Sequence, residues 1–416
     1  RPPRSTLFPY TTLFRSILEA GAEEALTQLH HNGITNLSAN GWVYLNSEHG
    51  PAYYKKRFMG DSYYEAYITP TTPPVVYSHG FVPVPLSPAS QVGMILASLA
   101  NGETTAPNYL RRRVRIETKG GALFAKGMVA KGQIDLNGNN IATDSFDSSE
   151  SLYSDPGGLY PVSNPAKTKD NGDVATNSGL INSLNVGNAD IKGRVSTGPG
   201  GSVAIGPNGV VGSKAWVEGG NHGIQPGYST DDMNVHFNDV VAPTTSMTPV
   251  GGRVDGIRYD YVLGNGNYSL SQLKNKNVMV TGNAILHVTD SLQFTGNTGI
   301  IINPGGRLEL YVSASSAKVA GNGVLNRTGN ALNFWYLGLP QNTSLDLSGN
   351  AAFTGVIYAP NADFSLGGGG SDTIDFIGAS ITKTVKMNGH YNFHYDEALA
   401  KKGPINAYVV TSWNEL

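Results

Sequence analysis

Beyond Gly120 the chain is written in apolar runs of four to seven residues, cut again and again by Gly-Asn, Asn-Gly or Gly-Gly. Runs that short do not make packed helices, and the recurring turn residues leave a β architecture of short strands and sharp corners. GQIDLNGNN, GSVAIGPNGVVG, KVAGNGVLN and TVKMNGHYNFHY are examples. Within many runs apolar residues alternate, as at Val278 and Val280, Ile285 and His287, Leu292 and Phe294, Leu308 and Leu310, Leu345 and Leu347, and Val385 and Met387. Period-two alternation marks half-buried strands. Gly-Asn recurs irregularly at Gly282, Gly296, Gly321 and Gly349. An up-and-down sandwich and a parallel β-helix both fit such a pattern. The varied strand lengths between turns favour the helix, because paired hairpins need mirrored strands, and Asn at coil corners can stack in ladders.

Composition narrows the function classes. Gly 52 in 416 residues is nearly double the usual share, while 39% hydrophobic residues are too many for a disordered chain. Cys 0 removes disulfides, thiolate zinc sites and cysteine nucleophiles. A net charge of −2 with only 14% charged residues offers no field for a nucleic-acid backbone, so nucleic acid is excluded as a partner.

The expected fold class is therefore mainly β: a right-handed parallel β-helix, or solenoid, with a short N-terminal α-helix and a small β-rich N-terminal region. Residues 1–16 resemble translated adapter sequence without helical or strand period, and we set them apart as non-native. Residues 17–33 hold the clearest helix, ILEAGAEEALTQLH, with Ile17, Leu18, Ala22, Ala25, Leu26 and Leu29 at three- and four-residue spacings. His31, Asn32 and Gly33 form its stop. Residues 34–120 are Tyr/Pro-rich and β-like; there Arg111, Arg113 and Arg115 alternate as the solvent face of an edge strand. Residues 121–216 form a first solenoid section with a loop over 144–171, residues 217–252 an excursion or linker, and residues 253–416 the C-terminal β-helical domain.

Between Gly264 and Leu399, the phrases YSLSQL, VMVTGNAILHV, IIINPGGRLELYV, SLDLSGNAAFTGVIYAPNADFSLGGGG and HYDEAL resemble the C-terminal β-helical domain of unknown function of PilX-like bacterial pilus-assembly proteins. EAGAEEAL and RRRVRIETKGGALFAKGMVAKGQIDLNGNNIATDSFDS are similar to the N-terminal half of the same proteins. The resemblance implies a pilin-like apolar helix ahead of the Glu-rich segment, where the adapter-like run stands. It further implies a place in the cell envelope or at the bacterial surface, and other pilus or envelope proteins as partners. It carries no catalytic residues.

Each candidate for chemistry has a plainer reading beside it. Asp135, Asn137 and Asn139 alternate like the start of a calcium loop, but Asn140 stands where an EF-hand needs Gly, and Phe146 where it needs its bidentate acid. His222, Asp231, Asp232 and His236 offer metal-ligand types without metal-ligand spacing. His30 and His31 suit a helix C-terminus. His394, Asp396 and Glu397 form the most acid-base-like group, yet they lead into Ala398 and Leu399, which we expect to cap the last open coil. Asp346, Asp363, Asp372 and Asp375 are acids of the sort polysaccharide-active β-helices use, but cations are sparse between Gly329 and Thr382. There is no GxSxG, P-loop or HExxH. The expectation is a non-enzymatic structural or assembly component of a type IV pilus-like fibre, with no catalytic, cofactor or metal residues. A glycan-binding surface adhesin is the alternative, and a polysaccharide-active enzyme the third reading.

Overall fold

The computed structural model describes residues 8–34, 36–84, 109–138, 140–321, 323–349, 352–368, 373–388 and 390–416. Asn139 and Asp372 lie outside the described residues. The chain is mainly β and divides into two compact units, residues 1–121 with 405–416, and residues 122–404.

In the first unit, helix α1 (Phe8–Asn32) lies against a six-stranded sheet. The helix starts inside the run set apart as non-native. The reason is visible in the packing: Phe14 joins Ile17, Leu18, Ala22, Ala25 and Leu29 in one buried stripe. Gly21 lets the backbones approach, since a Cβ there would press on the Tyr64 ring and the Ser78 hydroxyl, which itself donates to the Leu18 carbonyl. Gly33, at φ 56°, ends the helix as its sequence suggests.

Strands Val43–Ser47, Gly50–Met59, Ser62–Ile68, Val75–Pro83 and Tyr109–Ala122 follow as antiparallel neighbours. The arginine-bearing strand is not an edge, because Ile405–Glu415 returns from the C-terminus to lie beside it. That strand belongs to the first unit and not to the C-terminal β-helical region assigned from sequence.

The second unit is a stack of parallel strands. Pairing runs from Gly266–Lys274 through Asn283–Phe294, Arg307–Val312, Phe334–Gly338 and Phe353–Gly368 to Ile374–Met387, each residue meeting its counterpart one pass later. Leu286, Leu310 and Ile357 point inward and are fully buried. So are the second residues of most alternating pairs, with one exception: Ile285 and His287 face outward, and Ala284, Leu286 and Val288 face the core. The run AILHV is apolar on both faces, so alternation alone does not choose the register. Phe353, Phe376 and Phe393 stack as an interior ladder, with ring centroids 4.7 and 4.4 Å apart.

The order of passes in space differs from their order in the chain. Ile374–Met387 pairs with Met128–Ala130 and Ile134–Leu136, and Tyr391–Asp396 with Ala142–Phe146. The final pass of the C-terminal section therefore docks on the first pass of the section that precedes it in sequence. His394 and its neighbours sit at this internal seam, and the short helix Ala398–Lys402 does not close an open end. The connecting segment must travel back along the stack. It does so as a strap: Met233 N–H donates to the Thr197 carbonyl (2.9 Å), Val235 N–H to Asn177 (3.1 Å), Tyr358 hydroxyl to the Asn238 carbonyl (2.6 Å), and Met247 bridges to Tyr268. Met233, Phe237 and Val240 cover an apolar outer face carrying Val129, Ala175, Val356 and Ile381.

Candidate functional site: the charged seam

Register across the seam places His394 directly opposite Asp144 and, on its other side, Ile377, two residues from Asp375. The imidazole is nearly buried and both ring nitrogens are engaged: Nδ1 on Asp144 Oδ1 at 2.6 Å and Nε2 on Asp375 Oδ1 at 3.3 Å. Tyr160, from the 144–171 loop, stacks its ring on the imidazole at 3.7 Å and donates its hydroxyl to Asp144 Oδ2 at 2.9 Å. Burial alone opposes a charged imidazole, but the hydrogen bonds and charges of the two carboxylates outweigh it and raise the His394 pKa. The same hydrogen bond, against the opposing cost of burial, lowers Asp375. Burial pushes Tyr160 up.

Two carboxylates on one imidazole fix it as a doubly donating cation. A general base needs a free lone pair, and His394 has none to give. Asp396 and Glu397, grouped with it in sequence, do other work. Asp396 Oδ1 accepts from Ser148 N–H (3.0 Å) and Ala398 N–H (3.1 Å), and burial raises its pKa. Glu397 accepts from Ser145 (2.8 Å) and Asn171 (2.7 Å) and pairs with Lys169. Lys401 reaches the buried Asp147 at 2.6 Å and also holds Glu150. The most acid-base-like group of the sequence thus fastens the 144–171 loop and the two sections together. A cleft of about 230 Å³, lined by Thr143, Tyr160, Val162, Lys192 and Asn392, opens beside His394.

The remaining sequence candidates are dispersed. Asp135 lies on a strand, and Asn185 on the next pass donates to it and to Asn137 (2.9 and 3.2 Å), a side-chain ladder in place of a calcium loop. Asp346 faces Lys318 (3.9 Å) and Asp363 faces Lys383 (3.1 Å), so cations from outside the sparse interval neutralise them. Among the described residues, His222, Asp231, Asp232 and His236 form no group of three ligands close enough to share an ion. Among the described residues, the one group of three such side chains close enough to share an ion is Glu48, His49 and His79, which sequence reasoning missed. Nothing in linear spacing joins His49 to His79; hairpin pairing does.

In that group His79 is fully buried, and its Nε2 lies 2.9 Å from His49 Nε2. Arg111 donates to His79 Nδ1 at 2.9 Å and also contacts Glu48. An acceptor Nδ1 puts the His79 proton on Nε2, where it donates to His49. A metal would need that nitrogen bare, beside two arginines. Burial, then Arg111, hold His79 down at about 3, and burial likewise lowers His49. The group is a neutral hydrogen-bonded relay, with His49 stacked on Tyr77 at 3.7 Å.

Residues 220–402 match the model of a domain of unknown function, DUF7305. The match covers the strap and the C-terminal section, while the passes on the far side of the seam lie outside it. No curated protein and no solved structure matches the chain. No helix among the described residues is long and apolar enough to cross a membrane.

Proposed function

We propose that the chain is a non-enzymatic structural or assembly component of a type IV pilus-like fibre at the bacterial envelope, with one unit built as a right-handed parallel β-helix and the other as a helix on a sheet. The observation that carries it is the seam. Most of its titratable side chains are held by hydrogen bonds that cross between the two sections or tie down the 144–171 loop, which suits a mechanical joint. Parallel ladders in which each pass meets only its neighbours support the solenoid reading and give a stiff rod with long lateral faces. The strap along one such face adds a brace. PilX-like resemblance supports the envelope setting, since it places an apolar helix ahead of the Glu-rich segment.

The test is to read the genomic codons upstream of this sequence and to image sheared surface fibres with antibody against the chain. A basic leader followed by about 20 apolar residues, with label along fibres or at their tips, is the expected outcome. A cleavable secretory signal, a native start near Ile17, or label confined to the medium overturns the fibre reading and leaves a free surface binder.

A further inference from the structure

One cleft of the second unit has a composition unlike the seam. It holds about 640 Å³ and is lined by Tyr311, Trp335, Tyr358, Arg307, Glu309 and Lys402, among others. The size is that of a small-molecule site. Strand register explains the gathering: Glu309 faces Trp335 across one ladder, and Tyr358 follows on the next pass opposite Leu337.

The aromatic groups present carbon. Trp335 Nε1 donates to the Leu332 carbonyl at 2.8 Å, the Tyr358 hydroxyl is taken by Asn238, and the Tyr311 hydroxyl rests on Glu309 at 3.3 Å. With their polar ends satisfied within the protein, the half-buried Tyr311 ring and the small exposed parts of Trp335 and Tyr358, 8% and 7%, make an apolar floor. At the rim Arg307 pairs with Glu309 at 2.8 Å, a neutral couple that still has N–H donors and carboxylate lone pairs to share. Lys402, in the last turn of the short helix, is exposed and has no ion-pair partner among the described residues. The rim therefore carries one cation more than it neutralises.

We propose that this cleft binds an acidic saccharide, a hexuronate unit of a polysaccharide. A pyranose has an apolar C–H face for the rings and a hydroxyl edge for Arg307 and Glu309, and its carboxylate is the complement of Lys402. A nucleic-acid backbone or a basic peptide fits neither the apolar floor nor the single net positive charge. The assignment does not depend on the fibre reading.

Calorimetric titration of the full chain with trigalacturonate, trimannuronate and the neutral maltotriose tests it. Saturable binding of at least one uronate is expected, weakened ten-fold or more in Lys402→Glu and with no change in that variant's thermal unfolding. Tyr311→Phe, which keeps the ring and frees Glu309, is expected to retain binding. Absence of saturable heat with both uronates overturns the proposal. So does an equal affinity in Lys402→Glu, or maltotriose binding as tightly as the acids.

Discussion

Each unit buries one histidine with both ring nitrogens bonded, and the two are electrostatic opposites. His79, in the antiparallel sheet, accepts from Arg111 and has Arg113 nearby; its pKa falls to about 3 and it stays neutral. His394, in the parallel stack, lies between Asp144 and Asp375 and its pKa rises, which favours the charged ring. Burial pushes both the same way, towards the neutral ring. The sign of the neighbours decides the outcome, and those neighbours come from strand register. The comparison teaches that a buried histidine's chemistry belongs to its partners on neighbouring strands, which lie 32 residues away for His79 and 250 for His394.

The contrast breaks most visibly at the seam. Asp144→Ala removes one carboxylate from a nearly buried cation and orphans the Tyr160 hydroxyl. Breaking a buried pair in this way costs about 3–5 kcal/mol. Chemical denaturation near pH 5.5 is the measurement, and a loss below about 1 kcal/mol would mean that water screens the pair as on a surface. In the other unit, His79→Leu keeps volume but deprives Arg111 and His49 of their partner. A neutral relay loses less, about 1–3 kcal/mol for the Arg111 donor left without its acceptor and the His49 acceptor left without its donor. Equal losses at the two sites would erase the distinction drawn between them.

Titration sharpens it further. A raised folded pKa means that the His394 contribution is complete below the ordinary value of 6.5 and fades as pH rises through the higher folded value. Asp375, lowered in the fold, keeps its share above 3.8 and loses it as pH falls through the folded value below. Tyr160 and Lys192 also face this pocket, and neither changes the direction. For His79 the sign reverses: its contribution is whole above 6.5 and declines as pH falls from there towards about 3. Glu48, His49, Arg111 and Arg113 surround it. Imidazole NMR is expected to show His394 charged above pH 6.5 and His79 neutral at pH 5. The difference in stability between wild type and His394→Gln is expected to shrink on the alkaline side. Buried Asp396, raised by desolvation, is common to both proteins and drops out of that difference. A His394 resonance that titrates below 6.5 would overturn the two-carboxylate account.

Local features of the fold were legible in the sequence. Alternation found Leu308 with Leu310, Leu345 with Leu347, and Val385 with Met387, all of them buried, and Gly33 ended the helix where expected. One error has a local physical cause: Ile285 and His287 belong to a run apolar on both faces. Setting residues 1–16 apart also left Phe14 out of the buried helical stripe. The rest needed long-range pairing. No periodicity says that the final pass docks on Ala142–Phe146, or that Ile405–Glu415 returns to the arginine strand. His394 was singled out for its neighbours in sequence, Asp396 and Glu397, but its working partners are Asp144, Asp375 and Tyr160, which only the seam brings together.

The smallest expected effect tests whether polar ladders belong with the seam or with ordinary surface decoration. Asn185 stands opposite Asp135 in register, its amide donates to Asp135 and Asn137, and its carbonyl oxygen accepts from Gly187 N–H. The amide thus ties two passes together and also shapes its own corner. Asn185→Ala is expected to cost about 0.5–1.5 kcal/mol for a net neutral hydrogen bond, well short of the buried ion pair. Asn185→Asp puts a carboxylate against Asp135, so a loss exceeding that of Asn185→Ala is expected, and added calcium should leave it unchanged. If calcium instead restored Asn185→Asp to wild-type stability, the Asp135 and Asn137 oxygens would be cation ligands in waiting, and the ladder reading of this corner would fail.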